Sequence, residues 1–475
     1  MRVLVTSGRR LLPAATVGLT LACASCGPEA PPAARPARSL LVVCIDTLRP
    51  DHVGAYGHER ETTPTLDDLA GEGVLFTQAY AHSNWTVPAT ASLLTGLLPS
   101  EHGAGIEGDV RALADDTRVL QLRPGTETLA TLLKAAGLRT GLFSANPFLF
   151  GRFTSGFDTS EVQWRDAEEL TAAALAWLGG VGREPFFLYL QYMDLHQPIE
   201  PPPAYFEMFP VADGGPREKR HGDWSYGQLR KEEDLLDPEF QRYRAHRKAV
   251  YDGALRYVDD QVRRILLRLA ELGVADETAV VVTSDHGEEF WDHALEQSEV
   301  ARDPRGIWGI GHGHAMFEEV LRVPLILAAP GLPEGRRVDC PARHVDVLPT
   351  VLELLGLPPA SHGSGRSLVP ATTTGEDCPE VPIVAESPAY GPDSRAVIWK
   401  RRKLIVRSDG VEYLFDLRRD PEERHNLAAE RPRLVTALRL VLERELAGSA
   451  DLEAAQATPL DEETKRELRA LGYLE

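Results

Sequence analysis

The segment "HSNWTVPATASLLTG", residues 82–96, places a hydroxyl, Thr86, where a helix is expected to begin. Pro88 suits a first helical turn, because it lacks an N–H that would be unsatisfied there, and Gly96 suits the helix end. Free backbone N–H groups at a helix N-terminus stabilise negative charge, so an alkoxide or an anionic ester is favoured beside Thr86. Threonine is also an ordinary helix cap, and the two roles are compatible.

Other polar residues gather at the ends of apolar runs. Asp46 ends the run in "CIDTLRPDHVGAYG"; Asp285 and His286 end "VVVTSDHGEEFWDH", with Gly287 opening a tight turn. An aspartate after a strand is commonly a turn former. An Asp-His pair at a second strand end adds an oxygen and a nitrogen that can bind one divalent cation with Asp46. Asp194 and His196 follow a further run in "YLQYMDLHQP", and His312 and His314 lie in the glycine-rich "GIGHGHAMFEEVLRVPLIL". Any one of these histidines fits a surface or structural role; several polar clusters at successive strand ends are hard to assign to packing.

The elements that must position them alternate. Apolar runs at 40–46, 140–145, 186–192, 278–285 and 323–329 have the pattern of strands buried on both faces. Helical patterns fall at 64–72, 88–95, 127–136, 166–178, 240–272 and 344–355. Alternation of this kind predicts an α/β fold with a mostly parallel central sheet flanked by helices, and such sheets carry ligands at strand C-termini. The catalytic domain is expected over 39–394, with a Pro-, Gly- and charge-rich insertion at 197–239. Within it Arg217, Lys219, Arg220 and Lys231 could form a basic rim. Residues 395–475 read as a small C-terminal α+β subdomain.

Taken together, "VVCIDTLRPDHVGAYG", "LLTGLLPSEHG", "MDLHQP", "TSDHGEE", "EEVLRVPLIL" and "YLFDLRRDPEERHNLA" resemble the sulfatase family of the alkaline phosphatase superfamily, in family order and over nearly the whole mature chain. The resemblance implies one divalent ion, Ca²⁺, while the single Asp at position 46 and a His ligand leave room for Mn²⁺, Zn²⁺ or Mg²⁺. It implies metal ligands Asp46, Asp285 and His286, with Thr86 at the metal as the nucleophile. His196 and the His312/His314 loop would contact the ester or protonate the leaving oxygen; which of His312 and His314 does so stays open.

The departures bear on chemistry. Sulfatases carry Cys or Ser, oxidised to formylglycine, in a Cys-x-Pro-x-Arg pattern; here "TVPAT" keeps Pro88 but has Thr86 and Thr90. Threonine cannot become formylglycine. Asp46-Thr47 replaces the usual Asp-Asp pair, and a histidine replaces a lysine. A hydrated aldehyde expels sulfate through its second hydroxyl; threonine lacks one, whereas a phospho-threonine can pass its phosphoryl group to water or an alcohol. The expected activity is hydrolysis of sulfate or phosphate esters, leaning to phosphoesters. The alternatives are a phosphotransferase acting on envelope glycans or lipids, and an inactive protein that binds anionic glycans.

Context comes from composition and the N-terminus. A net charge of −20 opposes nucleic-acid binding, which needs basic surface. Residues 1–26 read as a secretory signal, with "LTLAC" resembling a bacterial lipoprotein cleavage box at Cys23, and residues 27–38 as a Pro/Ala-rich tether. The expectation is an exported periplasmic or cell-envelope lipoprotein, held at the membrane only through that lipid and acting on an anionic ester borne by a glycan or lipid. Cys340 and Cys378 could pair in an oxidising compartment.

Overall fold

The computed structural model describes residues 36–107, 118–211, 231–298, 309–373, 379–447 and 455–470. Residues 1–26, read as a signal, and most of 27–38, read as a tether, lie outside them, as do Arg217, Lys219 and Arg220 of the suggested rim; Lys231 is exposed before the short helix Glu232–Leu235.

A nine-stranded sheet forms the centre. Its order is Arg322–Val323, Val74–Tyr80, Leu325–Ala328, Thr278–Thr283, Ser39–Ile45, Phe186–Tyr192, Arg139–Ser144 and Thr159–Val162, with Arg336–Arg343 also pairing Val74–Tyr80. Pairing is parallel from Thr278–Thr283 across to Thr159–Val162, whereas Leu325–Ala328 runs antiparallel to both neighbours. The strands Ser39–Ile45, Phe186–Tyr192 and Thr278–Thr283 are buried along their whole lengths, which explains their uninterrupted apolar residues. The strand Val74–Tyr80 escapes the apolar-run criterion because Thr77 and Gln78 break it. Both side chains bond to Asp339 of the adjacent strand region.

Register sets the site. Ser144 pairs with Gln191, Gln191 with Cys44, and Cys44 with Thr283, so these four residues form one row across the sheet. Residues two positions further on, Asn146, Asp46 and Asp285, therefore leave the sheet at the same level. Side chains alternate faces along a strand, so one row two residues beyond another repeats its direction.

Helices flank the sheet, including Pro64–Glu72, Ala167–Val181, the long Pro238–Leu272 and His344–Leu354. Asp237 caps the long helix through Glu239 and Phe240 N–H groups, and Gly273 closes it in the left-handed conformation. No helix among the described residues is long and apolar enough to cross a membrane.

The C-terminal part forms a four-stranded antiparallel sheet, Ile383–Ala385, Ser394–Trp399, Arg402–Arg407 and Glu412–Asp416. It begins upstream of Arg395. Helix Pro432–Leu446 covers one face with Val435, Leu438, Val441 and Leu442, against Val384, Val397, Leu404 and Leu414. The other face packs on Met316, Phe317 and Val320, just beyond the histidine loop. Cys340 is disulfide-bonded; its expected partner, Cys378, lies outside the described residues.

Candidate active site

Thr86 is the first residue of the helix Thr86–Thr95, following Trp85 as N-cap. Its hydroxyl makes no capping bond and points instead to the ends of the strands. Oγ1 lies 3.4 Å from Asp46 Oδ2, 3.4 Å from His286 Nε2 and 3.1 Å from Asn146 Nδ2. All four residues are fully buried. Gly96, at φ +69°, ends the helix as its glycine led one to expect.

The segment before Thr86 is anchored on both sides. The Trp85 indole N–H and the Ser83 hydroxyl donate to the carbonyl of Ser387, at 2.7 and 3.0 Å. Asn84 donates through Nδ2 to Ala315 O at 2.6 Å, and its carbonyl accepts from Gly313 N at 2.9 Å. The histidine loop and the start of the Thr86 helix are thus stitched together.

The carboxylate of Asp46 is used unevenly. Oδ2 accepts from Asn146 Nδ2 at 3.0 Å and Gln191 Nε2 at 3.3 Å, besides Thr86, while Oδ1 is buried with no partner. Gln191 Nε2 also donates to Asp285 Oδ2 at 3.3 Å, and Asp285 Oδ1 accepts from the His286 N–H at 3.0 Å. Burial, and then the charge of Asp285, push Asp46 up to about 8; burial pushes Asp285 up to about 6.

His286 completes a group whose ligand atoms fit around one ion. Its Nδ1 lies 2.9 Å from the carbonyl of Gly287, which fixes the proton there. The lone pair on Nε2 therefore faces Asp285 Oδ2 at 3.5 Å and Asp46 Oδ1 at 3.9 Å. Burial pulls its pKa down, keeping the ring neutral. Gly287 is required by the turn: a Cβ there would sit 2.0 Å from the carbonyl oxygen of Glu319.

Two buried carboxylates and an imidazole lone pair repel one another unless a cation lies between them, and the orphaned Oδ1 of Asp46 is open to that role. These residues fit a divalent cation. Two other clusters have similar ligand types but already contain a side-chain cation. Asp252, beside His52 and His58, pairs with Arg60 at 2.8 Å; Glu423, beside His293 and Glu319, pairs with Lys403 at 2.9 Å.

The remaining histidines separate. His312 lies against His286, with ring centroids 4.3 Å apart and the planes tilted by 40°, and 4.9 Å from the ring of His196. Its Nδ1 bonds Glu288 Oε2 at 2.8 Å, and His196 Nδ1 bonds Gln197 O at 2.7 Å. His314 turns away, with Nε2 3.1 Å from Glu289 Oε2. Asp194 serves the fold by accepting from Ala167 N at the start of helix Ala167–Val181.

Sequence reasoning missed Asn146, Gln191 and Glu288. Asn146 carried a readable signal, since it directly follows an apolar run. Gln191 interrupts such a run with a buried amide, and its role depends on register.

The Sulfatase family model matches residues 38–357. The uncharacterized sulfatase YidJ of Escherichia coli (strain K12) is 25% identical over 451 residues, covering 82% of each chain. Delta 4,5-hexuronate-2-O-sulfatase of Bacteroides thetaiotaomicron is 24% identical over 454 residues, covering 86% of this chain and 87% of that enzyme. The crystal structure of phosphonate monoester hydrolase of Agrobacterium radiobacter aligns with a TM-score of 0.66 and 21% identity, covering 90% of this chain and 97% of that one.

Proposed function

This chain belongs to the sulfatase family, and from that premise we propose that it is a metal-dependent ester hydrolase using Thr86 Oγ1 as nucleophile, with phosphoesters or phosphonate esters preferred over sulfates. The observation that carries this reading is the convergence of Thr86 Oγ1, Asp46 and His286 within 3.4 Å, with Asn146 donating to the hydroxyl. Asp46, Asp285, His286 and Thr86 would hold the cation, which when bound lowers the pKa of the hydroxyl and shields the charge of the ester. Two carboxylates and one imidazole suit Mn²⁺, Zn²⁺ or Mg²⁺ as well as Ca²⁺.

The chain's own residues supply the rest. Thr86 Oγ1, as its alkoxide, attacks phosphorus and the bond to the alcohol oxygen breaks. His312, whose Nδ1 is backed by Glu288, donates a proton from Nε2 to that oxygen, and His196 beside it orients the departing group. Water activated by the same His312 then attacks phosphorus, and the O–P bond to Thr86 breaks. Sulfur esters would stall at the Thr86 ester, because threonine has no second hydroxyl to expel sulfate. The name of the Agrobacterium radiobacter neighbour supports phosphonate esters as a class to test, and that of the Bacteroides thetaiotaomicron relative supports a sugar-borne ester.

The decisive experiment is a panel of nitrophenyl phosphate monoesters, diesters, phosphonates and sulfates with purified protein and each metal, alongside Thr86→Ala. Phosphorus turnover that falls at least about a thousandfold in the variant, with folding intact, supports the reading. Retention of most activity in Thr86→Ala sinks the nucleophile role.

A further inference from the structure

Helix Pro238–Leu272 carries two arginines, Arg244, which bonds Phe290 O and Asp292, and Arg247, which bonds Gln197, while Arg49 from the first loop shares Asp292. Arg49 bonds Asp292 and Asp51 at 2.6 and 2.7 Å, and Arg244 bonds Asp292 at 3.0 Å. Arg247 lies one helical turn before Tyr251, whose hydroxyl donates to the carbonyl of Thr47 beside Asp46 at 2.8 Å. Unlike its two neighbours, Arg247 has no carboxylate within ion-pair distance among the described residues. It donates to Gln197 Oε1.

Two donors are left over. Arg247 Nε and Gln197 Nε2 are both shut off from solvent and have no hydrogen-bond partner. Gln197 sits next to His196 and accepts that ring's proton at its carbonyl. Burial lowers the pKa of Arg247, which means its charge lacks the solvation or counter-ion it would have elsewhere. The carboxylate whose field it feels, Glu288, is engaged by His312. A buried guanidinium with no carboxylate beside it, whose Nε–H has no acceptor, and a neighbouring amide N–H likewise without one are costly in the free protein and are matched by a planar oxyanion that accepts from both.

We propose that Arg247 and Gln197 form a subsite for a second anionic group, a carboxylate or sulfate carried by the alcohol part of the substrate. This rests on the ester-hydrolase reading, because the subsite is placed by Gln197, the residue after His196, whose ring lies 4.9 Å from that of His312. It makes the natural substrate an ester of an already acidic alcohol, and Arg247 a specificity-determining residue.

Phenylphosphonate, which has no ester bond to cleave, and its 3-carboxy and 4-carboxy derivatives are titrated calorimetrically into the full-length, metal-supplied protein. One carboxy isomer is expected to bind roughly tenfold or more tighter than the parent. Arg247→Gln should abolish that ratio and Arg247→Lys should keep part of it. Equal affinities in the wild type, or a ratio unchanged in Arg247→Gln, overturn the subsite while leaving the ester site standing. Equal weakening of all three ligands assigns Arg247 to the common phosphonate or to the fold, and also overturns it. Absence of any phosphonate binding refutes the ester-site reading, and the subsite with it.

Discussion

The amide nitrogen of Asn146, just beyond the end of strand Arg139–Ser144, lies 3.1 Å from the hydroxyl oxygen of Thr86 at the start of its helix. The same nitrogen is 3.0 Å from Asp46 Oδ2. One amide therefore orients both the attacking oxygen and the carboxylate beside it, and it does so with donors only, which suits groups that must bear negative charge.

Removing that amide should disturb turnover more than folding. A hydrogen bond to a charged group contributes about 1.5–3 kcal/mol, so Asn146→Ala is expected to lower kcat roughly ten- to a hundredfold. Asn146→Asp should be worse, since it adds a third carboxylate to a buried cluster. Initial rates and melting curves on the two variants check this; unchanged kcat in Asn146→Ala would remove Asn146 from the site.

His312 and His314 should separate by leaving group. If His312 protonates the departing oxygen, His312→Gln costs little with 4-nitrophenol and much more with a poorly acidic alcohol, up to about 10²–10⁴-fold. His314→Gln should show no such dependence, because its Nε2 is directed to Glu289. A leaving-group series measured on both variants decides, and equal slopes would contradict the assignment.

Chelation should lower the melting temperature as well as the activity. A ligand at a hundred times its dissociation constant stabilises a folded protein by about 2.7 kcal/mol, and the buried pair Asp46 and Asp285 concentrates that effect at one place. Adding back Ca²⁺, Mn²⁺, Zn²⁺ or Mg²⁺ ranks the ions, and Asp285→Asn should weaken each of them. A chelated protein that melts where the metal-supplied one does would argue against an ion at these residues.

A separate pH effect is expected from His293. Burial acts to lower its pKa, but Glu319 at 2.6 Å, with Glu423 and Glu289, outweighs burial and lifts it to about 10 from 6.5. A group raised on folding contributes stability in full below its unfolded pKa and loses it as pH rises through the folded one. The stability advantage of wild type over His293→Gln should be greatest at pH 6 and shrink steadily toward pH 10. Thermal melts of both proteins across that range provide the measurement, and a constant difference would refute the ion pair's role.

The sequence by itself determined the strand–helix alternation, the helix opening at Thr86 and closing at Gly96, and the polar residues that follow Ser39–Ile45 and Thr278–Thr283. These are local properties: an apolar run, a proline or a glycine acts on its own neighbours in the chain. It also carried the family resemblance, matched over residues 38–357. Tertiary structure alone decided the rest. Register across four parallel strands put Asn146, Asp46 and Asp285 at one level, and the tie between Gly313 and Asn84 helps hold the histidine loop against the Thr86 segment. His312 faces His286 while His314, two residues on, faces Glu289, although both stand in the same "GHGH" run. Such choices depend on which distant segments supply the partners, and no local pattern of residue types encodes that.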